Sequence, residues 1–401
     1  MKRCAKCNLP ETHETIIFDD MGICNICRQH EFKKEQIDWS ANKIELDDLI
    51  ENHRGKYDYD CIVPFSGGKD STWALYYLVK EYKLNPLVVR FDHGFFRPGL
   101  EENVKKTFRR LGVDSITFTP NWKVVQKLML ASFLEKGDFC WHCHTGIFSY
   151  PMWVALEKKI PLIFWGEPSA EYAAYYSYQQ KEEVDEKRFN KFTNLGISSL
   201  DMYIRLGGNV DERSLKPYTY PPLDQLRLLN YRSVCLGSYI EWDVKKQSAI
   251  IQAELGWEGA EVENVPPTYG YEKIECAMQG VRDYIKYIKR GYSRPSHLVA
   301  IDIRNGRIQK DEGGKLITEY EGRRPPSLDL FLDFVGLTEK EFLEIAMSHQ
   351  VSPYRHDPAT TKQGCKTCDN NSWCRDGAMD RKDTNILLSN WNERNNFILN
   401  K

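Results

Sequence analysis

The chain has 401 residues, 41% hydrophobic and 28% charged, which at roughly 150 residues per domain leaves room for two domains and a small appendage and excludes a wholly disordered polypeptide. Fifty-five lysines and arginines against 57 aspartates and glutamates leave a net charge of -2, so no global positive field draws in nucleic acid. No stretch approaches the roughly twenty apolar residues that cross a bilayer, and the basic opening residues have no apolar core behind them, so no secretory leader is expected. A cytoplasmic protein is expected, and in that reducing setting its 12 cysteines suggest metal binding or catalysis before disulfides.

In chain order, a cysteine-bearing head over 1–35 gives way to acidic sequence around 44–51 that predicts a linking helix. From 59 to about 168 short apolar runs alternate with helix-period segments. Strands are expected at 60–66 (DCIVPFS), 86–91 (PLVVRF), 115–118 (SITF) and 161–165 (PLIFW), with helices at 71–82, 101–111 and 124–135. Such alternation implies parallel crossover units, hence an α/β, doubly wound, Rossmann-like sheet. Beyond about 171 the pattern is mostly helical, with helices at 242–255, 271–290 and 339–349 and strand-like pieces beside the turn Arg304-Asn305-Gly306. The expected units are a head over 1–35, a nucleotide-binding domain over 55–240, and a helical region for substrate or partner over 241–401 with a cysteine-bearing tail.

The string Ser66-Gly67-Gly68-Lys69-Asp70-Ser71 follows a buried strand and opens a helix. Glycines admit backbone N–H groups close to phosphate oxygens, and the helix start adds unpaired donors and partial positive charge. Ser66 and Ser71 add hydroxyls and Lys69 a cation, but the string is not a Walker A loop.

Cys4-x-x-Cys7 and Cys24-x-x-Cys27 have the spacing of a four-cysteine zinc ribbon, a closed structural site. Cys140-x-x-Cys143 lies between the third and fourth strands and fits a cluster, a second zinc, a redox pair or two packed thiols. Cys365, Cys368 and Cys374 in the tail form a further candidate metal set short of one ligand.

The glycine string resembles that of the PP-loop pyrophosphatase superfamily, whose members bind ATP with a divalent cation and cleave it between the α- and β-phosphates. The resemblance implies that Phe91 and Asp92, at the end of the second strand, lie beside the adenine. It also implies that Gly166 and Glu167, at the end of the fourth, face the reacting centre with Lys69 and Asp70. More specifically, CAKC and CNIC, VPFSGGKDS, RFDHGF, CWHCHTGI, FWGEP, LGSYIEWD and the segment at 285–308 together resemble the N-acetyl sugar amidotransferase family of bacterial surface-polysaccharide pathways. This resemblance implies ATP, Mg2+ and structural Zn2+, and conversion of an acetamido group on a nucleotide-activated sugar to an acetamidino group in lipopolysaccharide or O-antigen synthesis. It also implies ammonia from a glutaminase subunit of the histidine-biosynthesis type, with a cyclase-like companion. No glutaminase nucleophile is recognisable in the chain itself. The segment after Gly306 departs from the family pattern, with Gln309-Lys310-Asp311-Glu312 where an arginine and an acid are expected. Arg205, Arg227, Arg232, Lys245 and Lys246 are the cations available for the anions of such a substrate, while Tyr239 and Trp242, three apart on an expected helix, either stack on a ring or pack. The rival is a tRNA-modifying thiolase of the same superfamily with an iron–sulfur cluster on Cys140 and Cys143.

Overall fold

A computed structural model describes residues 1–171 and 175–362. The head is built from two cysteine knuckles and α1 (Asn25–Glu35), followed by α2 (Trp39–Glu51), which starts where the Asp38 carboxylate accepts the Ser40 and Ala41 amides. Five strands follow: β1 (Cys61–Pro64), β2 (Pro86–Phe91), β3 (Asp114–Phe118), β4 (Leu162–Trp165) and β5 (Arg232–Cys235). All neighbours are parallel, in the order β3-β2-β1-β4-β5. The three central strands are buried along their whole length, which is why they read as continuous apolar runs.

Crossover helices cover both faces, and three short helices, α7 (Glu186–Arg188), α8 (Ser199–Arg205) and α9 (Leu223–Leu229), lie in the connection from β4 to β5. Cys61 and Val63 share a core with residues of α3 (Lys69–Lys80), α4 (Pro98–Leu111) and α10 (Val244–Leu255). Ile62, Ile163 and Trp165 face the other way, onto Met152, Val154 and Ala155 of α6 (Trp141–Lys158). The helix α5 (Trp122–Lys136), which ends at the left-handed Gly137, does not stay with the sheet alone. Its Phe133 joins Phe331, Phe334 and Phe342 in a core shared by α11 (Gln279–Arg290), α14 (Ser327–Val335) and α15 (Glu339–Ser348).

The expected elements of the first half are present within a few residues. The head is not a loose appendage: Ala300 of α12 (Arg294–Arg304) lies in the same buried cluster as the four cysteines. Lys33 of α1 is paired with Glu171 and donates to the Trp242 carbonyl at 2.8 Å.

Three expectations fail. Around Arg304-Asn305-Gly306 there are no strands; the turn joins α12 to α13 (Lys310–Tyr320). The helix expected at 271–290 begins only at Gln279, leaving 271–278 as an irregular passage. Tyr239 and Trp242 lie in non-helical chain between β5 and α10; both are buried, and they pack. No helix among the described residues is long and apolar enough to cross a membrane.

Candidate active site

From β1 the chain steps outward to β2 and β3, then returns to β4 on the other side. The crevice beyond the carboxyl ends of β1 and β4 is therefore a topological switch point, where open parallel sheets bind ligands. The glycine string leaves β1 at this point, and Gly166-Glu167 leaves β4 beside it. Their approach is close: a Cβ on Gly166 would stand 2.9 Å from the Asp70 carbonyl oxygen, so the position requires glycine. Gly67 adopts a φ of +88°, and a Cβ there would meet Val104 at 2.9 Å.

Within the loop the amides are held by hydroxyl oxygens. Ser71 Oγ accepts the Ser66 and Gly67 N–H groups, both at 3.2 Å, and Ser66 Oγ accepts that of Gly68 at 3.3 Å. This is an anion cradle whose donors have only these weak, long partners. Lys69 Nζ reaches Asp70 Oδ2 at 2.7 Å and Glu272 Oε2 at 2.8 Å. Burial alone would lower the Lys69 ammonium, but the carboxylates of Asp70, Glu272 and Glu167 hold it well above its ordinary range. For Glu272 burial is likewise overcome, by Lys69, Lys273 and Arg294, and its carboxyl falls to about 2. Glu167 behaves oppositely: burial and the neighbouring Asp70 charge push it up to about 8. Asp70 Oδ1 is buried without a hydrogen-bond partner. An orphaned carboxylate oxygen beside a second carboxyl, which burial and the Asp70 charge disfavour as an anion until a cation arrives, is a donor set suited to a hard divalent cation.

Two cavities meet here. One, of about 190 Å³, is lined by the loop, Phe91, Trp165, Gly166 and Glu275. The other, of about 450 Å³, extends toward the helical half. Lys69, Phe148, Glu167, Arg188 and Lys273 line both. Phe91 is thus on the wall of the loop cavity, while Asp92 accepts the Gly94 amide and the Thr119 hydroxyl, at 2.8 and 3.1 Å, and closes the turn after β2. Glu272, Lys273, Glu275 and Arg188 were not singled out by the sequence; a charged GYEKIEC stretch before an amphipathic helix was the available signal. The five cations that were available for substrate anions line neither cavity. Arg205 pairs with Glu135, Arg232 with Glu183 and Lys245 with Asp302, and Arg227 and Lys246 are exposed.

The four head cysteines converge. They are buried, with Cys4 Sγ 4.0 Å from Cys27 Sγ and Cys7 Sγ 3.6 Å from Cys24 Sγ. Sulfurs about 2.3 Å from a tetrahedral zinc would stand about 3.8 Å apart, so the set fits a closed four-thiolate site. Hydrogen bonds from Cys24, Cys27 and Cys7 drive the Cys4 thiol far below its usual range, while Cys24, Cys4 and Cys7 push Cys27 up. Such a cluster gives up its remaining protons when a cation binds. Backbone amides of Lys6, Cys7 and Cys24 also point at Cys4 Sγ, at 3.3–3.5 Å.

Cys140 caps the start of α6 and Cys143 lies in its first turn. Burial pushes both thiols up, and Cys276 nearby to about 11. Among the described residues no group of three metal-ligating side chains at close range includes them. Cys365, Cys368 and Cys374 lie outside the described residues.

The helical wall of the larger cavity is where the chain resembles known proteins. Residues 267–367 match the C-terminal domain of the LPS biosynthesis protein WbpG-like family. A biosynthetic role in surface glycans fits that match, and a biosynthesis family suggests an enzyme. The chain is also 32% identical over 116 residues, 28% of its length, to the uncharacterized protein MJ1599 of Methanocaldococcus jannaschii. That match spans 40% of the archaeal protein.

Proposed function

We propose that the protein is an ATP-dependent, AMP- and pyrophosphate-forming amidotransferase that converts an acetamido group of a nucleotide-activated sugar to an acetamidino group during lipopolysaccharide or O-antigen synthesis. One observation carries this reading: the stretch 267–367, matched by the LPS-biosynthesis model, supplies Glu272 and Lys273 to the same crevice as the glycine loop. A surface-glycan module and a phosphate cradle then share one reaction chamber.

In the first half-reaction the acetamido oxygen attacks the ATP α-phosphorus and pyrophosphate leaves. The loop amides and Lys69 hold the departing oxygens, electrostatic help that does not have to be reorganised as charge develops. Asp70 and Glu167 are the residues that would hold Mg2+, which when bound neutralises the pyrophosphate. Phe91 offers an apolar wall for the adenine. In the second half-reaction ammonia adds to the activated carbon and AMP departs with the former amide oxygen, leaving the amidine after proton loss. Ammonia would come from a glutaminase subunit of the histidine-biosynthesis type, with a cyclase-like companion. The four head cysteines would hold Zn2+ as a structural ion.

The test follows the oxygen. With ammonium salts, ATP and a panel of nucleotide-linked sugars labelled with 18O in the acetamido group, the label is expected in AMP. Label retained in the sugar while AMP forms would refute amide activation.

A further inference from the structure

The larger cavity carries more positive charge than ATP requires. Its lining includes nine lysine and arginine side chains against five carboxylates, and one of those carboxyls, Glu167, is pushed up to about 8. The cations nearest the loop, Lys69 and Lys273, already face Glu272 and Glu167. The excess lies further in, along one helix. Arg282, Lys286, Lys289 and Arg290 recur at spacings of four, three and one on α11, and Arg294 follows at the start of α12. At 1.5 Å of rise per residue the α11 row is about 12 Å long.

The ion pairs of this row are loose. Lys286 Nζ and Arg290 Nε share Glu14 Oε1 at 3.3 and 3.5 Å. Arg282 is 3.5 Å from Asp138, and Arg294 Nε, 3.6 Å from Asp283, is buried without a hydrogen-bond partner. Lys289 has only the Lys136 and Gly137 carbonyls. Burial lowers the ammonium of both Lys286 and Lys289 despite Glu14 and Asp138. With Arg294 Nη1 also 3.5 Å from Glu272, the five cations face four carboxylates, and Lys136, which also lines the cavity, brings the surplus to two positive charges. One of the four, Glu14, belongs to the cysteine head, where Tyr292 donates to it.

We propose that this row is the binding subsite for a diphosphate diester, and that Glu14 is the countercharge the ligand competes against. Two surplus positive charges, on and beside a row of forked and point donors, match two phosphoryl groups; one carboxylate would leave a charge unpaired. The assignment deepens the proposed function, because a nucleotide-activated sugar carries such a bridge, but it stands on this cavity alone.

The test is calorimetric titration of the full, metal-replete chain with UDP while α,β-methylene-ATP saturates the loop. One UDP is expected per chain, with UMP roughly tenfold or more weaker and inorganic pyrophosphate competing. The pair Lys286→Gln and Arg290→Gln should weaken UDP about a hundredfold while leaving α,β-methylene-ATP affinity intact, and Glu14→Gln should tighten UDP severalfold. UDP excluded by the loop ligand, UMP equal to UDP, absence of competition by pyrophosphate, or indifference to the double substitution would each overturn the assignment. UDP binding as expected with no label transfer to AMP from any sugar would leave the subsite standing and remove the amidotransferase reading.

Discussion

Lys69 is the residue on which the loop's electrostatics turn. Its ammonium is the shared partner of Asp70 and Glu272, so Lys69→Ala removes the cation proposed to meet departing pyrophosphate and also the one that stabilises two acids beside it. The acids can respond by taking up protons, so the fold should survive. Pyrophosphate release should fall by about 10²–10³, read in a coupled phosphate assay, with circular dichroism unchanged. Unaltered turnover would place the phosphates elsewhere. The loop was legible in the sequence because its glycines, hydroxyls and lysine all lie within six positions. Glu272, Lys273 and Glu275 were not, because they come from about two hundred residues further on and only the tertiary fold brings them to the loop.

Among the elements, α6 shows how tightly one helix is fitted to the sheet. A Cβ on Gly146 would stand 2.2 Å from the Phe91 ring, so Gly146→Ala should cost about 1–3 kcal/mol. Phe91→Leu in the same chain should return part of that loss while weakening ATP, since Phe91 also lines the loop cavity; paired denaturation curves and ATP titrations separate the effects. A Gly146→Ala protein as stable as the parent would show that α6 does not press on β2. The cysteine head makes a second prediction at this scale. Cys4→Ser should release the bound metal, measured by elemental analysis, and lower the melting temperature, because its core is little more than those four sulfurs with Leu9, Ile26 and Ala300. Retention of one zinc per chain would contradict the ligand set.

Element type was readable where one periodicity dominated. The buried strands β1, β2 and β4 are short apolar runs and the helix α4 has one apolar stripe. By contrast α6 is buried on several sides, contains Gly146 and Pro151, and has no polar face to mark a helical period. The stretch entering Asn305-Gly306 alternates Ile301, Asp302, Ile303, and an Asn-Gly step is a strong hairpin signal. Burial of α12 against the head and α13 overrode that local preference.

At the level of the whole molecule, buried acids set a pH dependence. Glu263 is buried beside Ser327, which donates to it through both backbone and hydroxyl. Burial outweighs those bonds and pushes it up to about 7 from an ordinary 4.5. Between those values the folded chain binds more protons than the unfolded one, so this group's contribution falls as pH rises from 4.5 to 7 and stays at its minimum above. Glu263→Gln should remove up to about 3 kcal/mol of that slope. Calorimetry should find the variant more stable at pH 8 and similar at pH 5; a variant destabilised equally at both would show that the charged form is the one the fold needs.

The larger cavity joins the cysteine head to α11 and α12. His13 and Glu14 stand in its wall against Lys286, Arg290 and His297, and Thr12 donates to the Arg290 carbonyl at 2.6 Å across 278 positions. During synthesis the head leaves the ribosome before the sheet and could close around a metal at once, yet the surface it docks on is made only after some two hundred and fifty further residues. The chamber is therefore completed only once α11 and α12 have been made, and a nascent chain halted before α11 would present a finished glycine loop with nothing opposite it.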